Sequence, residues 1–202
     1  MIKTVKRKLS FFFKNDNKWL LIIVKIKCLF QHIFLRRKFS SFGKNSIIWG
    51  PDRMLGRKYI KIGDNVSILH HARMECVSNY GNQTFSPTLS IGNNTSIGQN
   101  FHVVAAGELR IGENVTISGD VFITDVSHEY ENVGVHILKQ PLVQDATVIG
   151  DNSFIGYGAV IQAGVIMGKQ CIVGSNAVVR KGMYPDYSVI AGVPARVVKR
   201  FN

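Results

Sequence analysis

The sequence predicts an all-β chain folded as a parallel β-helix behind a basic, hydrophobic extension. Three observations carry that expectation. A six-residue phrase recurs between residues 62 and 182: IGDNVS (62–67), IGNNTS (91–96), IGQNFH (97–102), IGENVT (111–116), IGDNSF (149–154) and IGYGAV (155–160). From residue 149 to 178 the phrase runs without a break, with hexads opening at Ile149, Ile155, Ile161, Met167 and Val173. The charge is also divided sharply: residues 1–44 hold nine Lys and three Arg against Asp16 alone, or +11 of the chain's net +12. A period of six fits neither a helix pair nor a lone strand, and is the mark of a parallel β-helix. A β-sandwich rich in Gly-Asn turns would space its turn signals about 8–12 residues apart.

Each hexad supplies one short strand and one turn, so three hexads, about 18 residues, close a triangular coil. The leading aliphatic (Ile97, Ile117, Ile155, Ile161) is expected to point into the prism and stack on its equivalent one coil away. The fifth residue also faces inward near a corner and must be slim: Val66, Ala72, Thr95, Val115, Ser153, Ala159, Val165, Cys171, Ala177. Gly at the second position, with Asn or Asp after it, is expected to permit positive φ at the corner. Each coil supports only its neighbours, and the two open ends of the prism need covers.

The boundary is expected at residue 44, with the extension at 1–44 and the β-helix at 45–202. Outside the extension, 13 cations meet 12 acids, so the prism is nearly neutral and the charge does not indicate a nucleic-acid groove. The extension's longest apolar run, residues 19–24, is too short to span a bilayer, and no small-residue cleavage site follows it. Phe11, Phe12, Phe13, Trp19, Phe30 and Phe34 among lysines suit a segment lying at an anionic membrane surface. The same residues suit a helical cap over the first coil, and the two readings are compatible. Three scattered Cys (Cys28, Cys76, Cys171) form no CxxC or disulfide pattern and point to a reducing cytoplasm, with Cys171 on an inward core position.

The hexad rhythm stops at His128, after IGENVT-ISGDVF-ITDVSH, and resumes at Ile149. Excursions from such coils gather at the binding face. His128 occupies the last beat of its hexad beside the departing loop, where an imidazole can titrate near neutrality and act as a base. Asp125, Glu129 and Glu131 crowd it. Asp125 is the first candidate to orient the ring and Glu131 the second. The loop at 129–147 and an earlier insertion at 77–88 are expected to shape an acceptor site. The other histidines are assigned ordinary roles: His70 and His71 on a corner, His102 outward, His136 solvated in the loop. Their spacing suits no zinc site, so no metal is expected.

The segments ITDVSHEYEN, ILKQPLVQDATVIGDNSFIGYGAVIQAGVIMG and PDYSVIAGVPARVVKRF together resemble the hexapeptide-repeat acetyltransferases. The similarity covers roughly residues 60–200 and is strongest to the maltose, galactoside, O-antigen and capsular polysaccharide O-acetyltransferases, with Ala191-Gly-Val-Pro-Ala195 its most specific phrase. Phe154 stands where members often carry Trp, and Arg180 where Thr is common. The resemblance implies a left-handed β-helix, a homotrimer with sites between neighbours, and acetyl-CoA as co-substrate. It also implies direct acetyl transfer to a sugar hydroxyl, with His128 as general base and no acyl-enzyme. A backbone N–H near Gly158 or Ala159 would hold the oxyanion. Phe154, Gly158, Ala159 and Ala177 are expected along the cofactor, with Arg180, Lys181, Arg196 and Lys199 on its phosphates. The acceptor would be a surface polysaccharide or its lipid-linked precursor. The alternatives are a nucleotide-sugar N-acetyltransferase, which usually carries an additional N-terminal βαβ unit, and a non-catalytic β-helix scaffold.

Overall fold

A computed structural model describes residues 18–201. Phe11, Phe12 and Phe13, on which part of the membrane expectation rests, lie outside them. One helix, α1 (Lys18–Leu35), is followed by short strands that wind into a prism of three parallel sheets. The first face stacks Ser41–Phe42, Ile60–Ile62, Thr88–Ile91, Glu108–Ile111, Thr147–Ile149, Val165–Met167 and Gly182–Tyr184. The second stacks Ile47–Ile48, Ser67–Ile68, Ser96–Ile97, Thr116–Ile117, Phe154–Ile155, Ile172–Val173 and Ser188–Gly192. The third stacks Arg53–Leu55, Arg73–Cys76, His102–Ala105, Phe122–Thr124, Val160–Ile161 and Val178–Val179.

Where the hexads are unbroken, the register steps by one ideal coil: Val148 pairs with Ile166, Phe154 with Ile172 and Val160 with Val178. The leading aliphatics Ile97, Ile117, Ile155 and Ile161 are buried, as are all nine slim fifth-position residues named above. They fill a single core from Phe39 to Ala195. Burial pushes the Cys76 thiol up to about 12, with Asp125 nearby adding to the effect and a backbone bond at Leu89 opposing it.

Two details of the repeat differ from expectation. The left-handed residue is the fourth of the hexad: Asn65, Asn94, Asn114, Asn152 and Asn176 have φ between 56° and 60°. The second-position Gly is required for another reason. A Cβ on Gly92 would sit 2.6 Å from the Gly112 carbonyl carbon of the next coil, and Gly150 meets Gly168 in the same way. Only a residue without Cβ lets successive corners approach so closely, while Asn tolerates the left-handed region two positions further on.

The prism also begins earlier than residue 45. Ser41 and Phe42 already pair with Lys61 and Ile62, and FGKNSI (42–47) is a hexad led by Phe in place of an aliphatic. Both ends are covered. At the far end the chain reverses after Gly192, and Ala195–Arg200 returns antiparallel along Ser188–Gly192. At the near end lies α1. The Gln31 side chain donates from Nε2 to the Ile48 carbonyl at 2.7 Å and accepts the Ile48 N–H at 2.8 Å. One amide thus supplies both bonds that a preceding strand would have made. His32 Nδ1 donates to the Gly43 carbonyl at 3.2 Å, and Lys27 Nζ sits 4.3 Å from the Trp49 ring centre. Among the described residues no helix is long and apolar enough to cross a membrane.

Candidate active site

The third face meets the first along one edge of the prism, and the repeat breaks there. The chain leaves Phe122–Thr124, turns at Asp125 and runs out as Val126–His128. It returns as Leu142–Gln144, paired antiparallel so that His128 lies opposite Leu142. The two insertions noted in the sequence join at this point. The earlier one forms a small hairpin, Asn79–Tyr80 against Gln83–Thr84. Gln83 accepts the Leu142 N–H at 2.6 Å and donates to the Leu142 carbonyl at 3.0 Å. Gln140, buried, organises the loop by donating to the carbonyls of Val135 and Asn132 and accepting the Asn132 N–H.

The hairpin brings Tyr80 to His128. Their rings meet edge to face, with centroids 5.4 Å apart and planes at 72°. Tyr80 Oη lies 3.5 Å from His128 Nδ1 and donates its proton to the Leu138 carbonyl at 2.7 Å. A phenol has one proton to give, so toward the imidazole Tyr80 acts as an acceptor. That favours the His128 tautomer with hydrogen on Nδ1 and a lone pair on Nε2, the form a general base needs. Sequence reasoning missed Tyr80, since it sits 48 residues from His128 in a hairpin with no motif of its own.

Asp125 has a different role from the expected one. Its carboxylate is fully buried and accepts the N–H groups of Ala106 at 2.7 Å and Gly107 at 2.9 Å. These two residues belong to a corner that is longer than a hexad allows, and Asp125 braces it. Burial raises the Asp125 carboxyl above its ordinary value, partly offset by those two N–H groups. Both oxygens turn to that corner, and the group found at His128 Nδ1 is the Tyr80 hydroxyl. Glu131, the second candidate, is exposed on the loop and has no bond to His128.

The same edge continues past Gln162 and then Arg180 and Lys181 on the next two coils, where an open cleft of about 280 Å³ is lined by Gln162, Arg180, Lys181, Tyr184 and Arg196. Lys181 Nζ binds Asp145 Oδ2 at 2.8 Å, tying the cleft to the base of the returning strand. Arg196 Nη1 donates to its neighbouring Ala195 carbonyl at 2.9 Å, and Arg180 is exposed. Three of the four expected phosphate-binding cations therefore converge. Lys199 lies opposite Val189 on the returning terminal strand and is exposed, outside the cleft lining.

The remaining expected residues fall elsewhere. Gly158, Ala159 and Ala177 lie at the opposite edge of the third face, where it meets the second, and Phe154 lies exposed on the second face. The expected oxyanion donors are engaged within the chain: the Gly158 N–H donates to Gly119 at 3.1 Å and the Ala159 N–H to Gly156 at 3.3 Å. Tyr157, exposed at this second edge, bonds Asp120 and lowers its carboxyl, with help from Asn100. Between the two edges the third face presents Arg53, Arg73, His102 and Phe122 in register. Glu75, buried, pairs with Arg53 at 2.7 Å and Arg73 at 3.1 Å. His102 was expected to be simply outward. It is half-buried against Phe122, and burial, with Arg73 adding to the effect, lowers its ring below the ordinary value.

This fold, with its coil break and cationic edge, has the form of hexapeptide-repeat transferases. Residues 146–181 match the bacterial transferase hexapeptide (six repeats) model, so the chain carries that repeat. It is 28% identical over 142 residues to a Mycobacterium tuberculosis protein named as a probable acetyltransferase, covering 70% of this chain and 42% of that one. It is 32% identical over 116 residues to WbbJ of Escherichia coli, named for lipopolysaccharide biosynthesis O-acetyl transfer, covering 54% and 59% respectively. The chain thus spans about half the length of these relatives. In structure it is similar to AntD, an N-acyltransferase from Bacillus cereus solved with dTDP and 3-hydroxybutyryl-CoA. The TM-score is 0.68 at 19% identity, covering 85% of this chain and 88% of that one.

Proposed function

We propose that this protein is an acetyl-CoA-dependent O-acetyltransferase that acts on a sugar hydroxyl of a surface polysaccharide or its lipid-linked precursor. The observation that carries the reading is His128. It stands where the coil opens, its Nδ1 faces the Tyr80 oxygen, and its edge leads to the cationic cleft of Arg180, Lys181 and Arg196. The cleft suits the phosphates of coenzyme A, because guanidinium groups bind phosphate through forked hydrogen bonds. His128 Nε2 takes the hydroxyl proton as the acceptor oxygen attacks the thioester carbonyl. The C–S bond then breaks and the proton passes to the departing thiolate of coenzyme A. Two acetyltransferase-named relatives, one of them tied to lipopolysaccharide, support acetyl transfer and a glycan acceptor.

The separation of the expected residues onto two edges supports a homotrimer. The edge bearing His128 on one chain would face the edge bearing Gly158, Ala159 and Ala177 on its neighbour, closing a site that one chain leaves open. The cationic leader supports a cytoplasmic enzyme peripheral at the inner membrane face, in contact with anionic lipid through residues 1–40.

The reading is tested by following thioester cleavage with and without a glycan acceptor. Cleavage should require acceptor, and His128→Ala should lower turnover by ~10²–10⁴-fold, the usual span for a positioned base. Near-normal turnover in His128→Ala defeats the mechanism, and an active monomer in light scattering defeats the trimer. A second reading, N-acylation of a nucleotide-linked amino sugar, draws support from the AntD likeness. The likeness covers 88% of AntD's own length. A dTDP-amino sugar consumed faster than any hydroxyl acceptor would select that reading.

A further inference from the structure

The helix α1 carries two opposed faces. Lys27, Gln31 and His32 turn to the prism and make the contacts described above. Ile22, Ile23, Ile26, Leu29, Phe30, Ile33 and Phe34 are 43–63% exposed. At about 100° per residue these seven fall within roughly 140° of arc, with Gln31 on the far side. A surface helix ordinarily buries its apolar stripe and shows its polar one. Here an apolar stripe is left outward, while Gln31 and His32 on the other side satisfy the edge of the first coil. The rings of Phe30 and Phe34 pack on each other, 4.2 Å between centroids. A contiguous apolar patch of this kind marks an interaction surface.

Charge selects the occupant. Arg36, Arg37 and Lys38 follow α1 directly and are exposed, and residues 1–44 carry +11. A second copy docking through the same face would bring like charge against like charge. An anionic bilayer accepts both features, apolar side chains at the acyl boundary and cations among the headgroups. We propose that the outward stripe of α1 is the membrane-docking surface, and that the prism stands on the bilayer by its first coil. This rests on the peripheral-membrane reading above and assigns it to one face of one helix. The leader then caps the prism and docks the protein at the same time, with different side chains.

The test uses the full chain and vesicles of equal parts phosphatidylglycerol and phosphatidylcholine, with phosphatidylcholine alone as the control. Wild type should sediment with the anionic vesicles at low salt. The triple variant Ile26→Ser, Phe30→Ser, Phe34→Ser should lose about tenfold or more in binding, since each buried apolar group adds to the partition. Its thermal unfolding should be unchanged, because the bonds from Gln31 and His32 remain. In a second variant, Phe30→Trp, the added fluorescence should shift blue and be quenched by brominated lipid. If wild type binds and the triple variant binds equally, or the new Trp escapes quenching, the stripe is not the docking surface and the membrane reading survives through the cations alone. If wild type does not bind anionic vesicles, the membrane reading fails and the proposal with it. If the triple variant instead drops in oligomer mass, the stripe belongs to a neighbouring copy and the proposal is overturned.

Discussion

Gln31 offers a direct measurement of what closes the prism. Its side chain makes two hydrogen bonds, at 2.7 and 2.8 Å, to the carbonyl and N–H of Ile48, and Ile48 is only 1% exposed. Replacing Gln31 with Ala removes both partners at once. Each lost bond costs about 0.5–1.5 kcal/mol net, and more where the stranded group is kept from water. Some water will reach an edge strand, so the expected loss is about 2–3 kcal/mol. Gln31→Glu keeps an acceptor for the Ile48 N–H but loses the donor to its carbonyl, and should fall between Ala and wild type. Urea unfolding of the full chain, at unchanged m-value, reads the difference as a shift in midpoint. A loss under about 0.5 kcal/mol for Gln31→Ala would show that the first coil does not need α1, and the cap would be an incidental contact.

Three further outcomes follow from the site and core. Tyr80→Phe should lower turnover by about tenfold while leaving the acetyl-CoA Michaelis constant unchanged, since the ring loses its Nδ1 acceptor; unchanged turnover would remove Tyr80 from the mechanism. Arg196→Ala should raise the Michaelis constant for acetyl-CoA more than for the acceptor, with an effect that shrinks in salt; an unchanged constant would return the cleft to ordinary surface. Cys76 should resist thiol reagents in the native state. Its thiol is raised from the ordinary 9.0 to about 12, so across that window the native state holds a proton that the unfolded chain has released. Stability should therefore fall as pH rises through it, by up to about tenfold in the folding equilibrium per pH unit. The Cys76→Ala variant should lose stability less steeply over that window, and an equal slope would assign the alkaline loss to other groups.

Much of the fold was legible because the repeat is a local code. Any six residues with the right leading aliphatic, Gly and slim fifth residue describe a corner, and each corner contacts only its neighbours. The first strand escaped because Phe42 leads its hexad in place of Ile or Val. The division of labour between Gly and Asn escaped because both residues relax the backbone, and only the packing of one coil on the next shows that Gly92 is needed for closeness and Asn94 for its left-handed φ. In the candidate site, His128 was legible from the broken rhythm. Asp125 was misassigned because nearness in sequence says nothing of where a buried carboxylate turns, and here it turns to Ala106 and Gly107. Tyr80 was invisible because the fold alone brings its hairpin beside the loop. The spread of Phe154, Gly158, Ala159 and Ala177 away from His128 was equally hidden, since residues a few beats apart lie on different sides of a triangle.

The stacked coils also act as a ruler. His128 leaves the fourth strand of the third face, and α1 lies beneath the first coil. Three spacings of ~4.8 Å raise it about 14 Å above that coil, and the helix adds about 10 Å more. With the outward stripe in the lipid, the imidazole stands roughly 24 Å above the acyl boundary. A saccharide anchored in the same bilayer meets it only with sugars far from its lipid end, while those nearest the anchor pass below. Height alone would then choose which residue of a growing glycan receives the acetyl group, and lipid-linked acceptors of one and several sugars should differ in rate accordingly. A single lipid-linked sugar acetylated as fast as a longer chain would show that the prism does not stand upright.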